Sequence, residues 1–190
     1  MESLEKPRKR ICIFDLDGVV FDVSQRLAIA ESGARDDKEL FWNIFLREDL
    51  MDLDKPRKAG IEAIQRCIDK GYHVLFLTGR PERLIDKTKE QLERIGIRLG
   101  ENIYLIMRPS SSSKNIFKPP SIHIPRVPER MDSKTFKLKI LNEISKIYEI
   151  VEIHEDDVEI LKEIWKRYHN VKLYLHIGEE CRVYGGKRLF

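Results

Sequence analysis

Cysteine is scarce in this sequence, and long apolar runs are absent. The 190 residues include three cysteines, Cys12, Cys67 and Cys181, and no Cys-x-x-Cys pair. An odd and sparse set of this kind argues against a disulfide framework and favours buried free thiols in a reducing compartment. No apolar run approaches the ~20 residues that span a bilayer, and residues 1–10 are charged rather than apolar. We therefore expect a cytoplasmic protein with no membrane partner and no export signal.

A large excess of charge of one sign is also lacking. The 35 Lys and Arg residues against 32 Asp and Glu leave a formal net charge of +3, which is too small to imply nucleic-acid binding by itself. Apolar residues make up 42% of the chain, so a disordered chain is excluded. The charged fraction of 35% exceeds the usual ~25% and resembles a heat-adapted composition. The length favours a single domain, residues 1–190.

Short apolar runs alternate with helical patterns from residue 11 onward. The runs predict five buried strands, at 11–14, 72–77, 103–107, 150–154 and 171–177. Apolar residues at helical spacing predict helices at 22–33, 56–71, 81–96, 134–148 and 158–168. They also predict a short helix that begins after Asp36 or Asp37, either of which could be its N-cap. Strands that alternate with helices form right-handed βαβ units. We therefore predict an α/β fold with a three-layer, Rossmann-like parallel sheet and a tail, 178–190, that is irregular or adds a short strand.

Two segments interrupt this regular alternation. Residues 22–55 form a small helical insertion after the first strand, and their apolar part, 40–46, is expected either as plain core or as a cover that overhangs the strand ends. Residues 108–133 form a long Ser- and Pro-rich loop, and loops of that length are usually functional or disordered. The loop is either a contact for a phosphate backbone or a solvated segment. Its basic residues are Arg108, Lys114, Lys118, Arg126 and Arg130.

The rest of the chain is organised around the segment 11–18. Its apolar run Ile-Cys-Ile-Phe is followed at once by Asp15, Leu16, Asp17 and Gly18. Residues two apart in an extended chain point to the same side, so both carboxylates converge beyond the carboxyl end of a strand, where open α/β sheets bind ligands. Crowded carboxylates repel unless a proton or a cation lies between them, and Mg²⁺ suits such oxygens. The alternative is a plain Asp-Gly turn.

Two further strands of the predicted sheet end in polar clusters. Thr-Gly-Arg stands at 78–80 after the second strand, and Glu-Asp-Asp stands at 155–157 after the fourth. The helix before the fourth strand adds three candidate cations: Lys134, Lys137 and Lys139. Gathered at one end of a sheet, these groups make a metal site beside a hydroxyl and an ammonium, which is the equipment that phosphoryl transfer requires.

Each group in this constellation has a chemical role and a plain alternative. Asp15 suits the nucleophile, because carboxylates form aspartyl-phosphates, and Asp17 suits the general acid and later the base. Thr78 could instead only cap the helix that follows, and Asp156 and Asp157 could be only the cap and first-turn acids of their helix. The order of all the clusters along the chain favours the chemical interpretation.

In that order, the motifs Asp15-Leu-Asp17-Gly-Val-Val, Thr78-Gly-Arg, a downstream lysine and Asp156-Asp157 resemble those of the haloacid dehalogenase (HAD) superfamily of phosphatases. The resemblance covers nearly the whole chain. It implies Asp15 as nucleophile, Asp17 as acid and base, and Thr78 as a ligand of the phosphoryl group. It also implies Mg²⁺ held by Asp15, the Asp17 carbonyl and Asp156, with Asp157 bound through water or behind these ligands.

Within the superfamily, the sequence is most similar to the 3′-phosphatase domains of polynucleotide kinase/phosphatase enzymes. Those domains also carry a paired Asp-Asp followed by a helix with a tryptophan, here Trp165. The spacing of their lysine selects Lys137 as the catalytic lysine. Gly79, Arg80 and Arg108, which lie at or just past strand ends, are the predicted contacts for substrate phosphate. No kinase P-loop motif occurs in the sequence, so we expect it to lack a kinase half.

Three functions compete on this evidence. The first is a Mg²⁺-dependent phosphomonoester hydrolase that acts on nucleic-acid ends as a polynucleotide 3′-phosphatase. The second is a nucleotidase or small-metabolite phosphatase, and the third is a non-catalytic module that binds RNA or DNA through the basic loop. The expected partner is a phosphorylated substrate, and the oligomeric state is not predicted. The intact acidic motifs count against the third function.

Overall fold

The computed structural model describes residues 7–109, 115–124 and 131–185. In chain order its strands are β1 (Arg10–Phe14), β2 (Phe21–Asp22), β3 (Lys55–Pro56), β4 (His73–Pro81), β5 (Ile103–Arg108), β6 (Glu149–Glu155), β7 (Lys172–Ile177) and β8 (Glu180–Tyr184). Six of them form one sheet in the order β5-β4-β1-β6-β7-β8, and β2 pairs with β3 in a separate ribbon. All neighbours in the main sheet are parallel except β8, which runs antiparallel to β7. The predicted α/β sheet is therefore confirmed, and the tail adds a strand.

Helices cover both faces of this sheet. They are α1 (Ser24–Ala34), α2 (Lys38–Phe45), α3 (Lys58–Asp69), α4 (Ile85–Arg94), α5 (Ser133–Ile147) and α6 (Val158–Arg167). Because alternate residues of a strand point to opposite faces, β1 contributes Ile11 and Ile13 to the core under α5 and α6. Its Cys12 and Phe14 enter the core under α3 and α4. Among the described residues, every helix is too short or too polar to cross a bilayer.

The entry to α3 differs from the sequence-based prediction. Pro56 was expected to open the helix, but it lies in β3 and pairs with Phe21, and the helix begins at Lys58. The backbone N–H of Arg57 donates to Val20 O at 2.8 Å. This hydrogen bond keeps the chain extended at Pro56 and Arg57, so the helix begins two residues later than predicted. The β2–β3 ribbon thereby closes the base of the predicted insertion.

Helix α2 overhangs the carboxyl ends of the central strands rather than forming plain core. Asp37 caps it by accepting hydrogen bonds from the N–H groups of Glu39 and Leu40. Phe45 is buried, whereas Trp42 is 54% exposed and faces a cavity above the sheet. The cover expected as one alternative for residues 40–46 is thus the arrangement found.

Part of the long predicted loop packs against the edge strand β5. The N–H of Leu105 donates to Phe117 O at 3.0 Å, and the N–H of Met107 donates to the Asn115 side chain at 2.9 Å. The ammonium of Lys118 donates to Ile122 O at 2.6 Å, so it forms a hydrogen bond within the loop. The other predicted basic contacts, Lys114, Arg126 and Arg130, lie outside the described residues.

Candidate active site

The candidate nucleophile stands at the centre of the sheet's carboxyl edge. Asp15 directly follows β1, and its N–H donates to His154 O of β6 at 3.0 Å. The neighbouring strands β4 and β6 bring the predicted clusters at 78–80 and 155–157 to the same edge. The parallel sheet thus gathers residues that are far apart in sequence, as the strand-end argument predicted.

Lys137 of α5 forms an ion pair with Asp15. Its Nζ lies 2.9 Å from Asp15 Oδ2 and 2.7 Å from Glu155 Oε2. Lys137 is only 4% exposed, whereas Lys134 and Lys139 lie on the exposed side of the helix. The structure therefore places the predicted lysine, and neither alternative, against the candidate nucleophile. A buried ammonium needs such partners, because an unpaired charge is costly in the interior.

The acidic group around Asp15 fits a hard divalent cation. Ligand oxygens of Asp15, Glu155 and Asp156 lie within 4.8 Å of one another. Asp15 Oδ1 is buried and has no hydrogen-bond partner among the described residues, although a buried carboxylate oxygen normally has one. A cation such as Mg²⁺ supplies what this oxygen lacks, and three converging carboxylates suit its preference for oxygen ligands.

Burial and mutual repulsion raise the pKa values of these carboxyl groups. Burial raises the pKa of Asp15 to about 7, with the charge of Lys137 acting in the opposite direction. Burial and the nearby Asp15 raise the pKa of Asp156 to about 6. Gly18, with φ of 77°, lets the loop after Asp17 pass so close to Asp156 that a Cβ there would overlap its carboxylate. The backbone thus holds this acidic group together.

Asp157 occupies the alternative place predicted for it, the cap of the helix that follows. Its Oδ1 accepts hydrogen bonds from the N–H groups of Glu159 and Ile160 at 2.8 and 3.2 Å, which makes it the N-cap of α6. The third carboxylate of the acidic group is that of Glu155. The ligand set expected from the sequence is corrected accordingly, because a capping carboxylate is turned toward its own helix.

Asp17 is embedded in a buried network of charges. Its Oδ1 accepts from Arg26 Nη2 at 2.8 Å and from Arg80 Nη2 at 2.5 Å. Asp54, which lies after the 3₁₀ turn Asp49–Leu53, accepts from both arginines, at 2.9–3.0 Å from Arg26 and 3.3 Å from Arg80. The two positive charges outweigh burial and lower the pKa of Asp17 to about 2. Asp17 is therefore an ionised carboxylate in the substrate-free protein, and not yet the proton donor that the sequence suggested.

Arg80, predicted as a phosphate contact, borders the cavity. Its side chain is fully buried beside Asp17, where it further donates to Thr88 and to Gln91 at 3.3 and 2.6 Å. Arg80 therefore orients and ionises Asp17, and its contact with a phosphate group stays a prediction. Sequence reasoning named neither Arg26 nor Asp54, although a charged residue at a buried helical position is a signal for such a pairing.

Thr78, Gly79 and Arg108 line the cavity as expected. Thr78 is buried, and its hydroxyl accepts from the N–H of Arg80 at 3.2 Å, so it does not cap the helix after Pro81. A Cβ at Gly79 would overlap the Ser133 hydroxyl, which explains the absence of a side chain there. Burial and the nearby charge of Arg83 lower the pKa of Arg108. A bound anion would stabilise the charged form of this guanidinium.

The cavity above these groups has a volume of about 920 Å³. Its floor is polar and contains Asp15, Asp17, Thr78 and Asp156. One wall is apolar and comes from the insertion, with Val23, Leu27, Trp42, Phe45 and Leu46. A charged floor under an apolar, partly aromatic wall suits a ligand that carries an anionic group on a larger organic body.

The raised carboxyl pKa values would make binding of Mg²⁺ at this acidic group depend on pH. The pKa of Asp15 is 3.8 in the unfolded chain and about 7 in the folded protein. At pH values between these two, the folded protein holds a proton that the unfolded chain has lost. The stability that this bound proton contributes is therefore lost as the pH rises through 7. Mg²⁺ binds only the deprotonated groups. We expect Mg²⁺ to raise the melting temperature more at pH 8 than at pH 5, measured by thermal unfolding with and without the ion. Asp15→Asn should remove most of the increment, and an equal increment at both values would contradict the assignment.

No protein-family model matches the sequence, and no curated protein is significantly similar to it. Several solved structures share its fold, among them the following three. A chain of the Pnkp1/Rnl/Hen1 complex aligns with a TM-score of 0.58 and 17% sequence identity, over 91% of this chain and 47% of that chain. A chain of the Pnkp1/Rnl/Hen1 RNA repair complex aligns with a TM-score of 0.58 and 16% identity, over 88% of this chain and 42% of that chain. The class C acid phosphatase from Bacillus anthracis with tungstate bound aligns with a TM-score of 0.54 and 16% identity, over 85% of this chain and 62% of that chain.

This chain thus spans about half the length of the first two chains that it matches. At identities of 16–17%, the likeness concerns the fold. The central parallel sheet, its helices on both faces and its strand order agree with the fold expected from the motifs. The chain has an α/β fold similar to that found in the Pnkp1/Rnl/Hen1 complexes and in the class C acid phosphatase.

Proposed function

We propose that this protein is a Mg²⁺-dependent phosphomonoester hydrolase that acts through an aspartyl-phosphate on Asp15. The observation that carries the proposal is the state of Asp15 itself. One carboxylate oxygen is held by Lys137 at 2.9 Å, and the other is buried without a partner among the described residues. Asp15 lines a cavity whose floor also contains Thr78 and Asp156. A carboxylate fixed in this way is prepared to attack an electrophile rather than to stabilise the fold.

In the first step, an oxygen of Asp15 attacks phosphorus and the bond from phosphorus to the ester oxygen breaks. Lys137 holds the attacking carboxylate in place, and the hydroxyl of Thr78 and the guanidinium of Arg108 are donors for the phosphoryl oxygens. Mg²⁺, held by Asp15, Glu155 and Asp156 together with the Asp17 carbonyl, would neutralise negative charge that develops on the transferred group. Fixed donors of this kind stabilise the transition state because they need no reorganisation.

Asp17 handles the protons of both steps. Its pKa of about 2 in the substrate-free protein rises when a phosphate ester brings negative charge beside it, since a like charge disfavours ionisation. Asp17 then protonates the departing ester oxygen. In the second step it takes a proton from water as the water oxygen attacks phosphorus, which releases inorganic phosphate and restores Asp15. The two arginines keep its carboxylate oriented throughout.

The substrate that this cavity suits best is the 3′-phosphorylated end of a nucleic acid. The exposed indole of Trp42 offers a surface on which a base can stack, and such stacking does not depend on base identity. The opening beside α2 leaves room for a bulky body. The Pnkp1 chains with a similar fold come from structures of an RNA repair complex, which agrees with this choice.

A nucleotidase is the second candidate, because the same aromatic wall would accept the base of a mononucleotide. The two functions are separated by comparing kcat/KM for a 3′-phosphorylated oligonucleotide with kcat/KM for mononucleotides and sugar phosphates. We expect preference for the oligonucleotide. Preference for mononucleotides would retain the mechanism and assign the protein to nucleotide metabolism, and oligonucleotide binding without any turnover would favour the binding module.

Trp42→Ala tests the stacking surface directly. Loss of one base–aromatic contact should raise KM for the oligonucleotide by about 5- to 150-fold, while KM for a sugar phosphate stays unchanged because that substrate has no base. Leu40→Ala is the matched control, because Leu40 is an exposed apolar residue on the same helix outside the cavity lining. A similar KM increase for both substrates would show that the variant disturbs the phosphate site instead.

A further inference from the structure

A second cluster of ligand-type side chains lies in the half of the sheet formed by β6, β7 and β8. It consists of His154 on β6, His176 on β7 and Cys181 on β8. His176 stands directly opposite Cys181 in the antiparallel register. Both histidines are fully or almost fully buried, and Cys181 is partly exposed at the edge strand. None of the three belongs to the cavity above Asp15, and the proposed phosphatase mechanism does not use them.

The donor atoms of the cluster converge on one point. His154 Nδ1 lies 2.9 Å from His176 Nε2, and His176 Nε2 lies 3.4 Å from Cys181 Sγ. All three atoms lie within 4.8 Å of one another. Ligand atoms around a tetrahedral Zn²⁺ are separated by roughly 3.3–3.7 Å, given metal–nitrogen and metal–sulfur bonds of about 2.0 and 2.3 Å. The His176–Cys181 separation of 3.4 Å already lies in this range, and the two histidine nitrogens, at 2.9 Å, must move apart by roughly 0.4 Å to admit such an ion.

The surroundings of His154 are those of a metal-binding imidazole. Its second ring nitrogen, Nε2, faces Glu152 Oε2 at 3.4 Å, and a metal-bound histidine usually donates its remaining N–H to a carboxylate or carbonyl. The ring is stacked between Phe14 and Tyr174, with centroids 4.3 and 4.5 Å away. This stacking fixes the plane of the imidazole and directs Nδ1 at the other two side chains.

His176 is neutral, as a metal ligand must be. Burial and the neighbouring charges of Arg57 and Arg66, together with His154, lower its pKa to about 4. A lone pair is therefore available at neutral pH. Cys181 would bind as the thiolate and release its proton to solvent, which makes the binding dependent on pH.

We propose that His154 Nδ1, His176 Nε2 and Cys181 Sγ bind one transition-metal ion of the Zn²⁺ class, with the fourth position open to water on the side of Cys181. The site is chemically distinct from the carboxylate site at Asp15, because nitrogen and thiolate ligands select Zn²⁺ and carboxylate oxygens select Mg²⁺. The partly exposed thiol provides the path by which the ion enters.

Such an ion would fasten the edge strand to the body of the sheet. β8 is the antiparallel edge strand of the sheet, and the turn that leads into it contains Gly178. The Gly178 carbonyl accepts from Arg57, which also donates to Gly18 O at 2.7 Å in the loop after Asp17. A metal that ties three strands together would therefore also support the loop that carries the candidate catalytic residues.

The test is Co²⁺ and Zn²⁺ binding to the full chain after removal of metals with a chelator. Tetrahedral Co²⁺ bound to a thiolate gives visible d–d bands and a thiolate-to-cobalt charge-transfer band in the near ultraviolet. We expect this spectrum at one equivalent of Co²⁺ in the wild type. Cys181→Ser should abolish the charge-transfer band, and Glu152→Gln should weaken Zn²⁺ binding by about 10–100-fold.

Two variants serve as controls for the other possible sites. Cys67→Ala should leave the spectrum unchanged, although Cys67 belongs to another buried group with Cys12 and Glu152. Asp15→Asn should also leave it unchanged, which separates this site from the proposed phosphatase site. The proposal is overturned if the wild type gives no charge-transfer band, if the band survives in Cys181→Ser, or if it disappears in Asp15→Asn. The proposal is also overturned if the band disappears in Cys67→Ala, and a wild type without the band overturns it even if a variant fails to fold.

Discussion

Asp15→Asn is expected to lower kcat for phosphate release by about 10⁴-fold or more, as for removal of other catalytic nucleophiles. The amide cannot attack phosphorus, and it removes one of the negative charges that would bind Mg²⁺. The side-chain volume is unchanged, so the variant should fold. A steady-state assay of phosphate release with Mg²⁺ gives the measurement. A variant with the wild-type rate would exclude Asp15 as nucleophile while leaving the proposed Zn²⁺ site untouched.

Asp157→Asn is the matched control for this prediction. Asp157 also follows β6 in an acidic motif, but its carboxylate caps α6. Asparagine is an equally good N-cap, so the variant should keep both its stability and its rate. If Asp157→Asn lost activity as severely as Asp15→Asn, the assignment of Asp157 to the helix cap alone would be wrong, and the ligand set inferred from the sequence would be restored.

Asp54→Ala is expected to lower the free energy of unfolding by about 3–5 kcal/mol, which is the usual cost of removing one partner from a buried ion pair. The side chain of Asp54 is completely buried and accepts from Arg26, Arg80 and Gln91. Without it, two buried guanidinium groups share the single carboxylate of Asp17. Urea unfolding at neutral pH measures the change as a lower midpoint with an unchanged slope.

Asp52→Ala is the control, because Asp52 lies two residues before Asp54, in the 3₁₀ turn that Asp54 follows, and also pairs with two basic residues. Its partners are Lys87 and Arg94, and about half of its side chain is exposed to solvent, at 49%. Pairs of this kind contribute little, because water and salt screen them. Equal effects of the two substitutions would show that burial of the Asp54 network does not govern its strength.

Local pattern was sufficient for the strands and for the order of the motifs. Each short apolar run is a strand because a parallel sheet buries both faces, and the strand-end rule placed Asp15, Thr78 and Asp156 on one edge. Local pattern failed at Pro56, which suits the first turn of a helix but lies in β3, because pairing with Phe21 is a contact between residues distant in sequence. The single-domain organisation of residues 1–190 remains a prediction.

The sequence by itself determined the α/β fold, the carboxylate pair at 15 and 17 and the edge of the sheet where the candidate site lies, because these depend on periodicity and on strand ends. Only the tertiary structure decided the partners. Arg26 meets Asp54 across 28 positions, and Arg80 meets Asp17 across 63. The tertiary structure also places Asp157 at the cap of a helix and brings His154, His176 and Cys181 together. Pairing of charges and convergence of ligands depend on distances between strands and helices, which no local pattern in the chain encodes.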